Sequence, residues 1–276
     1  MSKEVLSKID ADGNATVVLN RPEVHNAFDP AMTRLLTETL RKLDANAKVR
    51  AVTLVGAGKS FCAGADISHM KASAKLSKAQ NFKVAQESAQ MFYTLYSMSK
   101  PTIACVQGAV RGGGLGLVAA CDIAIAARTA TFRLSEVKIG VIPSMISPYV
   151  IAAIGARQAR RYFITGEEFD AAEGWRMGLV HDIVEEAELP ARVGGMLGQL
   201  YSSGPMAMAA AKRLLPLSSH ANINEAIIDE TARRIADIRA TPEGQEGLSA
   251  FLEKRKPAWV APVAKKPGKP IGRRRR

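Results

Sequence analysis

The sequence predicts an α/β protein in which strands alternate with helices as far as about residue 184 and helices alone follow. Three observations predict it. Short β-branched and apolar runs, bounded by Gly, Pro and Asn, recur between longer helical patterns, as in a sheet with crossover helices. From Ala187 to Lys256 the chain reads as helix, broken at Gly204-Pro205 and Thr241-Pro242. Hydrophobic residues make up 47% of the 276 but aromatics only 5%, so a sizeable core is available and is built mainly of Ala, Val, Ile and Leu.

Taken in order, residues 15–19 (Ala-Thr-Val-Val-Leu) read as a strand ending at Asn20-Arg21-Pro22. Asp29-Pro30 supplies an N-cap and a first-turn proline, predicting a helix to about Asn46. Residues 51–55 form a second strand, closed by Gly56-Ala57-Gly58. Residues 71–80 are polar and read as a mobile stretch, and 81–99 as a helix. Strands follow at 102–106, 123–126 and 130–134, with a small-residue helix over 115–120. After Pro148 the pattern is helical, with one short strand within 179–184. The division expected is an α/β core over 1–195, a helical region over 196–260 and a basic tail over 261–276.

Composition excludes several classes. The formal net charge is +12, but Lys265, Lys266, Lys269 and Arg273 to Arg276 carry seven of those positives and leave +5 elsewhere. That Pro/Gly-rich tail has little to bury and reads as disordered and solvated, with contact to nucleic acid or an acidic partner as the alternative. No apolar run approaches the ~20 residues that cross a bilayer, and MSKEVLSKID lacks a signal-peptide core. Cys62, Cys105 and Cys121 have no metal-type spacing and fit a reduced compartment, so a cytoplasmic location is expected. His25, His69, His181 and His220 are scattered and read as structural or surface residues, so no metal is expected.

Two turns carry the chemistry. Gln107-Gly-Ala-Val-Arg111-Gly112-Gly113-Gly114-Leu-Gly116 lies between a buried strand and a small-residue helix. Consecutive glycines there let a ligand approach the backbone, and the first helical amides have no partner within the helix and lie at the positive end of its dipole. Phe61-Cys-Ala63-Gly-Ala65-Asp66-Ile67 repeats that strand–turn–helix arrangement. Two such turns can aim two N–H groups at one carbonyl oxygen. Glu136 is a lone carboxylate in the apolar run Phe132–Pro143, where partial burial would raise its pKa and suit it to proton transfer; a surface Glu paired with Lys138 or Arg133 is the plainer alternative. Cys62 reads as core rather than nucleophile. Ser135 and Ser144 lack a nucleophile elbow, no P-loop is present, and Gly-Gly-Gly-Leu-Gly lacks the dinucleotide spacing.

These motifs, with Asn20-Arg-Pro-Glu-Val-His-Asn26-Ala, Ala120-Cys-Asp122-Ile, Ser135-Glu136-Val-Lys-Ile-Gly140-Val-Ile-Pro143, Ile164-Thr-Gly166, Asp170-Ala-Ala-Glu173, Gly178-Leu-Val180 and the run from Glu246 to Lys256, resemble in order the enoyl-CoA hydratase/isomerase (crotonase) family over about residues 10–258. The resemblance implies a spiral of ββα units, a C-terminal helical region that builds homotrimers or hexamers, an acyl-CoA substrate, and no cofactor beyond the coenzyme A carried by that substrate. It places the enolate-holding amides at Ala65 and Gly113 and the acid/base at Glu136. It places substrate contacts at Ala63, Asp66, Ile67, Arg111, Gly112, Gly116, Arg133, Ser144 and Lys254, the last toward a CoA phosphate.

The chain also departs from the family. Hydratases of the family carry a first glutamate where this chain has Gly116, and a glycine run where it has Ser144-Met-Ile-Ser-Pro-Tyr-Val150. The latter segment and Arg160-Arg-Tyr-Phe-Ile-Thr165 resemble the methylglutaconyl-CoA and isohexenylglutaconyl-CoA hydratases, whose acyl groups carry a carboxylate that Arg111 and Arg133 would pair with; the alternative is that both arginines face solvent or bind CoA phosphates. The leading expectation is therefore a hydratase of a short or branched, possibly carboxylated, acyl-CoA. The alternatives are a double-bond isomerase using Glu136 alone and a non-catalytic CoA- or RNA-binding homologue. Neither a membrane nor nucleic acid is expected as partner.

Overall fold

The computed structural model describes residues 4–73, 75–219 and 222–260. The expected basic tail and His220 lie outside the described residues. Six strands form one sheet in the order β1 (Val5–Ile9), β2 (Asn14–Leu19), β3 (Ala51–Gly56), β4 (Thr102–Val106), β6 (Ile123–Ala127), β9 (Asp182–Val184). The first pair is antiparallel and every later one parallel. A second sheet has three very short strands in the order β5 (Ala109–Arg111), β7 (Thr131–Arg133), β8 (Glu168–Asp170).

Helices cover both faces of the larger sheet. Alternation along β4 sends Ala104 and Val106 to one face and Ile103 to the other. On the first face lie α1 (Pro30–Ala45) and α3 (Lys78–Tyr96). The α1 residues Met32, Leu36, Leu40 and Leu43 recur at helical spacing, and Met91, Phe92 and Leu95 of α3 join them. On the other face α7 (Leu189–Ser202) packs Leu189 and Val193 against Ile103, Ile125 and Ala127. That helix runs unbroken across residue 195, because these contacts tie its first half to the sheet; the expected division at 195/196 falls inside it.

The caps follow the sequence. Asp29 accepts the Met32 amide at the start of α1. Ser77 and Gln80 form a capping box that starts α3 three residues earlier than the apolar pattern suggests. With α2 (Ile67–Ser73) before it, most of the stretch read as mobile is helical. The remaining helices are α4 (Gly113–Ala120), α5 (Ser147–Thr165, broken at Gly155), α6 (Ala171–Met177), α8 (Pro205–Ser218), α9 (Glu225–Ala240) and α10 (Pro242–Leu252). α8 ends at Ser218 and α9 begins at Glu225, and the described residues between them, 219 and 222–224, are not helical where continuous helix was expected.

Candidate active site

Three loop segments are laid side by side by main-chain hydrogen bonds. Ala63 N donates to His25 O (2.9 Å), Phe28 N to Gly64 O (2.8 Å) and Asp66 N to Phe28 O (3.1 Å). From the other side, Cys62 N donates to Ala109 O (3.3 Å) and Arg111 N to Cys62 O (2.9 Å). The turn before α2 and the turn before α4 are thereby brought into contact. A β-carbon built at Gly64 would stand 3.2 Å from the Gly113 nitrogen, and one at Gly114 would stand 2.3 Å from the Cys62 carbonyl oxygen. Only glycine permits so close an approach.

Two amides are left over from this ladder. The bridge to Phe28 uses the carbonyl of Gly64 and the amide of Asp66, not the amide of Ala65. Gly113 is the first residue of α4, where an amide has no partner within the helix. Among the described residues neither amide donates to a protein acceptor.

Asn26 holds the first turn in shape. Fully buried and at a positive φ of 57°, it donates through Nδ2 to the carbonyls of Ala57, Ser60 and Phe61 and accepts the Arg21 amide. Arg21 in turn reaches Ala27 O and the Asp66 carboxylate. Cys62 donates its thiol to Asn26 O, and burial pushes that thiol up to about 12, so it is a packing group and not a nucleophile.

Glu136 arrives from the second sheet. Gly112 N donates to Arg133 O, which fixes β7 beside the glycine turn, and a 3-10 turn (Glu136–Ile139) begins three residues later. A β-carbon at Gly112 would lie 3.1 Å from Glu136 Oε1, so the carboxyl group stands directly over the turn. Its other oxygen, Oε2, is buried without a hydrogen-bond partner. Burial raises the pKa of this carboxyl above the ordinary glutamate value, only partly opposed by a bond from its own backbone amide.

A cavity of about 650 Å³ gathers these groups, with Ala63, Ala65, Gly112, Gly113 and Glu136 in its wall. The remaining wall is mostly apolar: Phe28 and Phe92, edge to face at 6.2 Å, then Ile139, Val141, Ile142, Pro143, Met145 and Ile146. Glu136 is the one ionisable side chain among the described residues of the wall. Sequence reasoning missed Phe28, Phe92 and Ile146; the run Phe132–Pro143 was visible as apolar, but not that its later residues form a wall facing the glutamate.

Several expected site residues lie elsewhere. Arg111 and Arg133 sit opposite each other on β5 and β7. Their neighbours Val110 and Phe132 fill the core, so alternation turns both arginines outward. Arg111 bonds to Thr131 and Glu168, and Arg133 to Gly166 O; neither is in the cavity wall. Asp66 is committed to Arg21 and to the Ser68 amide at the start of α2. Burial pushes its carboxyl up, but the Ser68 and His69 amides and Arg21 outweigh this and hold it below the ordinary value. Gly116 is buried beneath Ile146, Ser144 is exposed in the turn before α5, and Lys254 is exposed after α10. Ile67 begins α2, and its side chain lies outside those described. Of the histidines, His25 bonds Ser60 and His181 accepts the Ala124 amide. No group of three or more metal-ligating side chains stands together among the described residues. No helix among them is long and apolar enough to cross a membrane.

Comparison with known proteins agrees with this architecture. The sequence profile of the enoyl-CoA hydratase/isomerase family matches residues 11–262. The crystal structure of an enoyl-CoA hydratase from Shewanella pealeana superposes with a TM-score of 0.90 at 42% identity, covering 93% of this chain and 96% of that one. The short-chain-enoyl-CoA hydratase of Clostridium acetobutylicum is 31% identical over 88% of this chain and 92% of its own length. The (E)-benzylidenesuccinyl-CoA hydratase of Thauera aromatica is 32% identical over 89% and 94%. The profile match over most of the sequence and the close superposition show that the chain is an enzyme of the enoyl-CoA hydratase/isomerase family and has the crotonase fold.

Proposed function

We propose that this protein adds water reversibly across the α,β double bond of a short or branched enoyl-CoA, with Glu136 as its acid/base. The observation that carries the reading is the buried, unpartnered Oε2 of Glu136, set over a turn whose Gly113 amide and the neighbouring Ala65 amide have no protein acceptor. The thioester oxygen takes hydrogen bonds from those two amides. Glu136 removes a proton from water as the hydroxyl bonds to the β-carbon, and the double-bond electrons move onto the thioester oxygen. The same carboxyl then returns a proton to the α-carbon. Fixed amide dipoles stabilise the enolate with little reorganisation, each worth about 2.7–4 kcal/mol in comparable sites.

The wall favours a hydrocarbon acyl group. Arg111 and Arg133, the basis for expecting an acyl carboxylate, are engaged outside the cavity. A second reading, double-bond isomerisation, is favoured by the lack of another carboxylate among the described wall residues. Glu136 would then move a proton from the α- to the γ-carbon. Loss of enoyl-thioester absorbance with crotonyl-CoA, beside gain of it with a β,γ-enoyl-CoA, separates the two. Glu136→Gln is expected to lower kcat of whichever reaction runs by about 10²–10⁴-fold, the usual share of a positioned acid/base. Unchanged turnover in that variant rejects the assignment. Lys254 contacts a CoA phosphate, in this proposal, across a contact between subunits.

A further inference from the structure

Gly116 lies three residues after Gly113 on α4 and therefore shares its face of the helix. A β-carbon there would stand 2.1 Å from Ile146 Cγ2, 2.8 Å from Ile146 Cβ and 3.0 Å from Phe92 Cε1. Ile146 is 2% exposed and Phe92 fully buried, and both line the cavity that holds Glu136. The contact is made by the stem of Ile146, held at the N-cap of α5, and by an aromatic ring packed against Phe28, so neither neighbour can swing aside cheaply. Any side chain at 116 would have to enter the cavity through the volume that Ile146 fills.

We propose that residues 116 and 146 form a coupled pair that sets the reaction specificity of this site. Ile146 seated on Gly116 keeps a second carboxylate out of the cavity, so that proton transfer at the α-carbon and activation of water fall to Glu136 alone. The proposal rests on the functional reading above. It predicts that removing the Ile146 side chain is required before an acid at 116 can take part.

Two measurements test it. The first is packing, read by thermal unfolding of G116A, I146A and G116A/I146A. G116A is expected to lower the melting temperature, and I146A to cancel most of that loss in the double variant, a strong non-additivity for residues in contact. Additive shifts overturn the proposal. The second is the ratio of crotonyl-CoA hydration to α-proton exchange of butyryl-CoA in D2O, measured for the wild type, G116E, I146A and G116E/I146A. G116E loses both rates through misfit, and I146A lowers both together. G116E/I146A raises the hydration-to-exchange ratio roughly tenfold or more, a part of the about 10²–10⁴-fold that a well-positioned acid/base contributes. A ratio equal to that of I146A, or a rise already present in G116E, overturns it. A wild type that neither hydrates nor exchanges refutes the hydratase reading instead, and the unfolding series still decides the packing.

Discussion

Glu136 concentrates the physics of this site in one side chain. Its carboxyl is held protonated to a higher pH in the folded chain than in the unfolded one, because burial disfavours the charge. The folded state therefore binds more protons between the ordinary glutamate value and the raised one, so stability falls as pH rises through that window. Glu136→Gln removes the penalty. The variant is expected to melt above the wild type at pH 7, with the difference vanishing below about pH 4, where both forms are uncharged. Thermal scans across pH check this; a variant less stable than the wild type at pH 7 contradicts it. This residue was legible in the sequence as an isolated acid in an apolar run. The outward turn of Arg111 and Arg133 was not, because β5 and β7 are three residues long, too short for an alternating pattern to be read from the sequence.

Among the elements, the turn before α2 depends on a side chain that sequence reading placed in a motif without a task. Asn26 satisfies carbonyls of Ala57, Ser60 and Phe61 and sits in the left-handed region that asparagine tolerates better than most residues. Asn26→Ala leaves buried acceptors unpaired and adds backbone strain, at an expected cost of about 2–4 kcal/mol, and moves the Ala65 amide. Urea unfolding with parallel hydration assays measures both effects; a loss below about 0.5 kcal/mol, the level of an ordinary surface change, contradicts the assignment. The elements that were legible in the sequence carry strong local signals, such as the Asp29-Pro30 cap and the apolar strands of the larger sheet. Those that were not, β1, β5 and β8, are an edge strand and two fragments fixed by tertiary pairing. The start of α3 was written in the Ser77/Gln80 capping box, though the polar residues around it masked the signal.

For the whole molecule, the last three helices leave much apolar surface uncovered: Leu215, Phe251 and Leu252 are 66%, 80% and 77% exposed, and α8 and α9 bury no residue fully. Large apolar side chains left this exposed are the kind that an interface covers. The homotrimer or hexamer that the sequence resemblance implies would cover it, and light scattering is expected to give three or six times the mass of one chain, whereas a single-chain mass at micromolar concentration contradicts that assembly. The assembled molecule exists, in this account, to hold one thioester between two turns and one carboxylate. The most direct test is a crystal structure with a bound acyl-CoA. The account predicts its thioester oxygen about 2.7–3.1 Å from the amide nitrogens of both Ala65 and Gly113, with the Glu136 carboxyl against the α- and β-carbons. A thioester oxygen bound away from either amide, or acyl carbons out of reach of Glu136, would contradict it.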